Sequence, residues 1–225
     1  MKKRLFRAVL ILSVLILSSA MYGKKVMTTV WGEKTPDILL TSKNNISICV
    51  ADELNENFDD EQINDYDDLV DTSAIILKGK VDGERTMSVG STDTNFIVDK
   101  IYKDDTKSLI SGENIIIVEP FSIHLEAVYN SFGYQMLKKG EEYILFLNPL
   151  KCVDGYRYSN KEKISFMPST QYFSRYCITM EEKMKLLEQN DDELLYSDYS
   201  ENAFLTYDSN IKAKYIAIQE KIKFY

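Results

Sequence analysis

Between residues 72 and 178 the chain is written as short β-branched and aromatic runs separated by turn residues, with no helical pattern alternating between them. Parallel strands need crossover connections of a dozen or more residues, so this texture excludes a parallel α/β sheet and leaves an antiparallel sandwich or barrel. Residues 72–81 form the first run, with Gly79 in its interior marking a bulge or bend and Asp82-Gly83 as a turn signal directly after it. Residues 94–103 form the second, with Phe96 and Val98 on one face and Ile97 and Ile101 on the other. The third, 114–118, is bounded by Gly112 and Pro120. A charged turn at 137–142 then leads into Tyr143, Ile144, Leu145, Phe146 and Leu147, a continuous apolar run that suits a strand buried on both faces. Runs at 163–167 and 172–178 complete the set.

Beyond residue 178 the pattern becomes helical. Thr179 and Glu182 have the spacing of a capping box, and Met184 and Leu187 would supply the buried stripe of the helix that follows. Residues 210–225 place Ile211, Tyr215, Ile218, Ile222 and Tyr225 on one helical face, with Lys212, Lys214, Lys221 and Lys223 off it. Such a helix is expected to dock on its own domain; the alternative is a membrane-surface or partner-binding face.

The succession of the first strand with its interior glycine, the Phe96-Ile97-Val98-Asp99-Lys100-Ile101-Tyr102-Lys103 strand, the Gly112-Glu113-Asn114-Ile115-Ile116-Ile117-Val118 strand and the Lys-Gly-Glu-Glu-Tyr turn at 139–143 resembles the core of bacterial secreted proteins with a TIMP/netrin-like OB-fold barrel. The resemblance covers residues 65 to 178, about half of the chain. It implies a mainly β chain, a small antiparallel OB-like barrel followed by C-terminal helices, in which the glycine lets the first strand curl across both halves of a five-stranded barrel. Animal proteins of this type inhibit metalloproteinases through an N-terminal cysteine. Here no cysteine lies near a mature N-terminus, so that activity and its residues are not carried over.

Residues 1–7 hold four positive charges and no acid, and residues 8–17 are apolar apart from Ser13 and uncharged. This is the n-region and h-region of a secretory signal, with Ser18-Ser19-Ala20 as the cleavage site; the alternative is an uncleaved anchor reaching Gly23. The domain reading is therefore a signal at 1–20, an N-terminal extension and acidic linker at 21–71, the barrel at 72–178 and a helical tail at 179–225. The protein is expected to be secreted or held in the cell envelope, with a membrane as partner only through an uncleaved N-terminus. The net charge of -8, from 27 Lys+Arg against 35 Asp+Glu, argues against nucleic acid as partner. That acidity is unevenly spread. Ten acids and no base lie between Asp52 and Asp71, leaving barrel and tail nearly neutral. The acidic run reads as a solvated linker, with Asp65 capping a final helical turn; the competing reading is a weak calcium site, although the glycine and distal glutamate of an EF-hand loop are missing.

Export also gives meaning to Cys49, Cys152 and Cys177, since disulfides persist outside the cytoplasm. An odd number leaves at least one unpaired. Cys152 and Cys177 are the expected bridge, and three buried thiols the alternative. His124 is the only histidine, no Gly-rich phosphate loop occurs, and no catalytic residue, metal ligand or cofactor is implied. The one binding cue is aromatic: Tyr156, Tyr158 and Tyr172, with Arg157, crowd the last strands, and OB barrels bind glycans by stacking on such rings. Two functions follow from different classes. One is a non-enzymatic exported module that binds an envelope protein or glycan. The other is an extracellular hydrolase whose paired carboxylates converge in a cleft.

Overall fold

A computed structural model describes residues 36–42, 46–51, 62–88, 90–124, 127–131, 133–151, 154–188 and 194–223. Its elements run α1 (Pro36–Ser42), β1 (Ser47–Ala51), α2 (Tyr66–Thr72), β2 (Ile75–Ser88), β3 (Ser91–Asp104), β4 (Asn114–Glu119), β5 (Phe121–His124), β6 (Ala127–Ser131), β7 (Glu142–Pro149), α3 (Asn160–Lys163), β8 (Ser165–Pro168), β9 (Arg175–Cys177), β10 (Lys183–Leu186), α4 (Tyr196–Tyr199), β11 (Asn202–Thr206) and α5 (Ser209–Ile222). Residues 1–20, expected to be a signal, and the first half of the acidic run lie outside the described residues.

Strands β2, β3, β4, β8 and β7 close into a five-stranded ring, because β2 pairs with β3 on one side and with β7 on the other. Every pairing in the ring is antiparallel except β4 with β8, which run parallel. The small, mainly β closed barrel expected from the sequence is present, with that one parallel pair the departure from an all-antiparallel ring. Period-2 alternation explains the interior: Phe96 and Val98 of β3, Ile115 and Ile117 of β4, and Tyr143, Leu145 and Leu147 of β7 share one core.

Gly79 carries the bend. The β2–β3 register shifts between Lys78 and Gly79, and a Cβ at this position would fall on the Ile97 carbonyl oxygen and the Phe96 ring. Asp82-Gly83 does not end the strand as expected. The register shifts instead between Val81 and Arg85, with Gly83 at φ 83° and the Asn95 amide donating to the Glu84 carbonyl at 2.6 Å, so the segment is a bulge in a longer β2. The chain turns back only near Gly90 (φ 76°).

A second core lies outside the barrel. Ile76 of β2 and Ile144 and Phe146 of β7 point outward and pack against Phe173, Tyr176, Phe204, Tyr215, Ile218 and Ile222. This explains why all five residues of the 143–147 run are buried: odd positions fill the barrel and even positions face the C-terminal layer. Helix α5 docks through Tyr215, Ile218 and Ile222, and Asp208 caps it by accepting from Asn210 N at 2.7 Å. Asp65 caps α2 as the sequence suggests, accepting from Asp67 N and Asp68 N at 2.9 and 3.0 Å.

Two expectations need correction. No helix follows Thr179: residues 183–186 form β10, paired in parallel with β11, so the tail mixes strands with helices. Both capping groups are engaged elsewhere, the Thr179 hydroxyl with Glu141 and the Glu182 carboxylate with buried Arg175. A capping box does form at Ser159 and Glu162, at the start of α3. The second correction concerns residues 21–71, expected as an extension and acidic linker ahead of the barrel, part of which joins the folded core. Strand β1 pairs in parallel with β6, and Ile46, Ile48, Ile63 and Leu69 are buried in the outer core.

Candidate functional site

The barrel wall and the docked C-terminus enclose a half-open groove of about 610 Å³. Its floor is set by strand register. Lys100 of β3 stands opposite Lys78 of β2, Lys78 opposite Ile144 of β7, and Ile144 opposite Tyr176 of β9, so four neighbouring strands place these residues in one row on the outer face. The end of α5 contributes Gln219, Ile222 and Lys223, and the segment after β9 contributes Ile178, Thr179, Met180 and Glu181. Cys177, Asp99 and Tyr102 complete the lining.

Two lysines in register would repel, and each is held by a different neighbour. Lys78 Nζ lies 3.0 Å from Glu142 Oε2, and this hydrogen-bonded pair raises the Lys78 pKa above the ordinary lysine value despite an opposing contribution from burial. Lys100 Nζ sits over the Tyr102 ring, 4.5 Å from its centroid. At the apolar end, Tyr176 and Tyr215 stack with centroids 5.1 Å apart and an interplanar angle of 18°. Burial pushes the Tyr176 hydroxyl well up, and that hydroxyl has no hydrogen-bond partner among the described residues.

Behind the groove a buried ionic cluster ties the barrel to the tail. Arg175, the first residue of β9, donates from Nη2 to both oxygens of Glu182 at 2.7 and 2.8 Å and from Nη1 to the Gln135 carbonyl. Its guanidinium lies 5.3 to 5.7 Å from the centroids of Tyr134, Tyr143 and Phe204. Burial opposes its charge, but Glu182 and its neighbours more than offset this and hold it firmly cationic. Glu119 lies in the same region and accepts from Tyr134 Oη at 2.9 Å, Leu137 N at 2.7 Å and the Thr94 hydroxyl. Arg85 reaches Asp37 of α1 and the Leu137 carbonyl.

The four expected ligand residues are not brought together. Tyr156 and Tyr158 pair edge to face, with centroids 5.8 Å apart, in the β7–β8 connection. Tyr156 Oη donates to Glu162 at 2.6 Å, Tyr158 Oη to the Leu150 carbonyl, and Arg157 is exposed beside them. Tyr172, by contrast, is buried in the outer core beside Phe173 and Phe204. The strand there begins only at Arg175, so the alternation that would have put Tyr172 on a surface shared with Tyr156 does not extend back to it.

Of the expected cysteine bridge, Cys152 lies outside the described residues. Cys177 presents a free, half-buried thiol whose Sγ is 3.5 Å from Thr179 Oγ1, and Cys49 is free and exposed. Among the described residues no group of three or more His, Cys, Asp or Glu side chains could hold a metal ion, and no helix is long and apolar enough to cross a membrane. His124 ends β5 with an exposed ring 6.3 Å from that of Tyr129.

The groove was not foreseen from the sequence. Its residues come from four strands and a helix, and only the register of β2 against β3 and β7 brings Lys78, Lys100 and Ile144 side by side. No family model matches the chain, and no curated protein matches it either.

Proposed function

We propose that the protein is an exported, non-enzymatic binding module of the cell envelope that holds its ligand in the groove between the barrel and α5. The observation that carries this reading is the groove itself. Its volume of about 610 Å³ falls within the range of sites for small ligands, roughly 300–1,000 Å³, and its lining sets charged groups beside apolar ones. Export rests on the basic and apolar N-terminus, and the closed ring of five strands supports the resemblance to secreted TIMP/netrin-like barrels. The Tyr156–Tyr158 pair with Arg157 is a second aromatic surface, suited to stacking on a glycan.

The hydrolase reading has one observation in its favour, since Asp99 and Glu181 line the same groove. Glycoside hydrolysis requires one carboxyl group in an apolar setting that keeps it protonated. Glu181 is 76% exposed and pairs with Lys183 at 3.5 Å, so it lacks that setting. The binding reading is therefore preferred.

The experiment is a thermal-shift assay of the purified protein against fractionated envelope extract. A fraction should raise the melting temperature of the wild type and of Tyr156→Ala but not of Ile178→Asp, which puts a charge in the groove wall. A shift lost in Tyr156→Ala and kept in Ile178→Asp would move the site to the β7–β8 loop.

A further inference from the structure

Residues that face each other on adjacent strands have Cβ atoms only about 5 Å apart, and like charges in such a pair are destabilising. Lys78 and Lys100 are such a pair, on the floor of a concave surface. Lys223 at the end of α5 also lines the groove but is paired with Glu220 at 2.6 Å, and Asp99 and Glu181 are the carboxylates of the lining. Lys100 has no ion-pair partner among the described residues. The same row continues into Ile144 and Tyr176, which are buried under the C-terminal layer, and beside them Ile178 presents an exposed apolar side chain, 41% accessible. One end of the floor is thus cationic and the other apolar.

We propose that the groove binds a small amphipathic anion, its carboxylate or phosphate head between Lys78 and Lys100 and its apolar body against Ile178. This rests on the reading of the groove as the ligand site and adds the class of ligand. An anionic head relieves the repulsion between the two lysines, and the apolar body covers the Ile178 side chain that the fold leaves open beside them. Glu142 competes for Lys78 across 3.0 Å, so Lys100 makes the larger contribution to affinity.

The test uses the purified protein carrying Cys49→Ser and Cys152→Ser, so that Cys177 in the groove is the one thiol to be alkylated. Octyl phosphate and octanoate are compared with octylamine, octanol and inorganic phosphate, reading the rate of Cys177 alkylation and the melting temperature. The two amphipathic anions should protect Cys177 and raise the melting temperature. Inorganic phosphate should protect it far less, and octylamine not at all. Lys100→Gln should weaken octyl phosphate binding roughly tenfold, the scale of one charge-assisted hydrogen bond, while Lys161→Gln, which pairs with Asp93 elsewhere, should leave it unchanged. Equal protection by octylamine or octanol would overturn the anionic head, and equal protection by inorganic phosphate would overturn the apolar body. Protection by envelope extract with none by any anion would overturn this proposal and leave the binding site standing. No protection by extract or by any probe would remove both.

Discussion

The Arg175–Glu182 pair fixes how the tail sits on the barrel, and its removal has a computable cost. Arg175 is 1% and Glu182 0% exposed at the side chain, and Arg175 begins β9 on the barrel side while Glu182 directly precedes β10. Removing one partner strands the other charge in the interior. Among the described residues, after Arg175→Met Glu182 keeps the Tyr143 hydroxyl at 3.3 Å; after Glu182→Leu, Arg175 keeps the Gln135 carbonyl, the Tyr134 hydroxyl, the faces of three aromatic rings and the charge of Glu119. Breaking a buried pair in this way costs about 3–5 kcal/mol, whereas replacing both partners with apolar residues of similar volume is often neutral. At about 2–4 °C per kcal/mol for a chain of this size, each single variant should melt roughly 6–20 °C lower. The double variant should return to within a few degrees of the wild type. The assay is a double-mutant cycle by urea and thermal denaturation. Single costs under about 1 kcal/mol, or a double variant that simply adds the two losses, would refute the argument. The single variants should also lose ligand protection at Cys177, because residues 178–181 and α5 form the groove walls that this pair holds in place.

Further outcomes follow from other parts of the fold. Gly79→Val should destabilise strongly, by more than about 2 kcal/mol, because its side chain would enter the Ile97 carbonyl and the Phe96 ring; thermal melting of Gly79→Val beside Lys80→Val, at an exposed position of the same strand, checks this. Asp104 is partly buried, which pushes its pKa up, but the Thr106 hydroxyl and the Leu109, Thr106 and Lys107 amides outweigh burial and hold it below the usual aspartate value. A carboxylate depressed in the folded state contributes stability above its unfolded pKa of about 3.9 and loses it as the pH falls through the lower folded value. The stability gap between wild type and Asp104→Ala, about 1–2 kcal/mol at pH 7, should therefore shrink below about pH 4, as read by urea titrations at several pH values. Ser159→Ala should cost about 1 kcal/mol by removing the box that caps α3, whereas a helix cap at Thr179 is absent and Thr179→Ala should not lower the helix content seen by circular dichroism.

The barrel was largely legible because its signals are local. Period-2 alternation in β3 and β4, the interior glycine of β2 and the uninterrupted apolar run of β7 each report burial that the chain can encode within ten residues. The cap at Asp65 and the stripe of α5 are of the same kind. What could not be read depends on distant partners. Thr179 and Glu182 have the spacing of a capping box, but Glu182 is claimed by Arg175 and Thr179 by Glu141, neither of which a local window weighs. Asp82-Gly83 has the composition of a hairpin turn, yet β3 continues to pair beyond it and absorbs it as a bulge. The incorporation of β1 beside β6 is a parallel pairing across some eighty residues, and Tyr172 is hidden by a layer that arrives only with β11 and α5. The groove follows the same rule, since Lys78, Lys100 and Ile144 carry no shared pattern until the strands are in register.

The most direct measurement is a crystal structure of the protein grown with octyl phosphate. The phosphate should lie within ~4 Å of both Lys78 Nζ and Lys100 Nζ, with the alkyl chain against Ile178. Octyl phosphate seated at the Tyr156–Tyr158 loop, with the groove empty, would contradict the account.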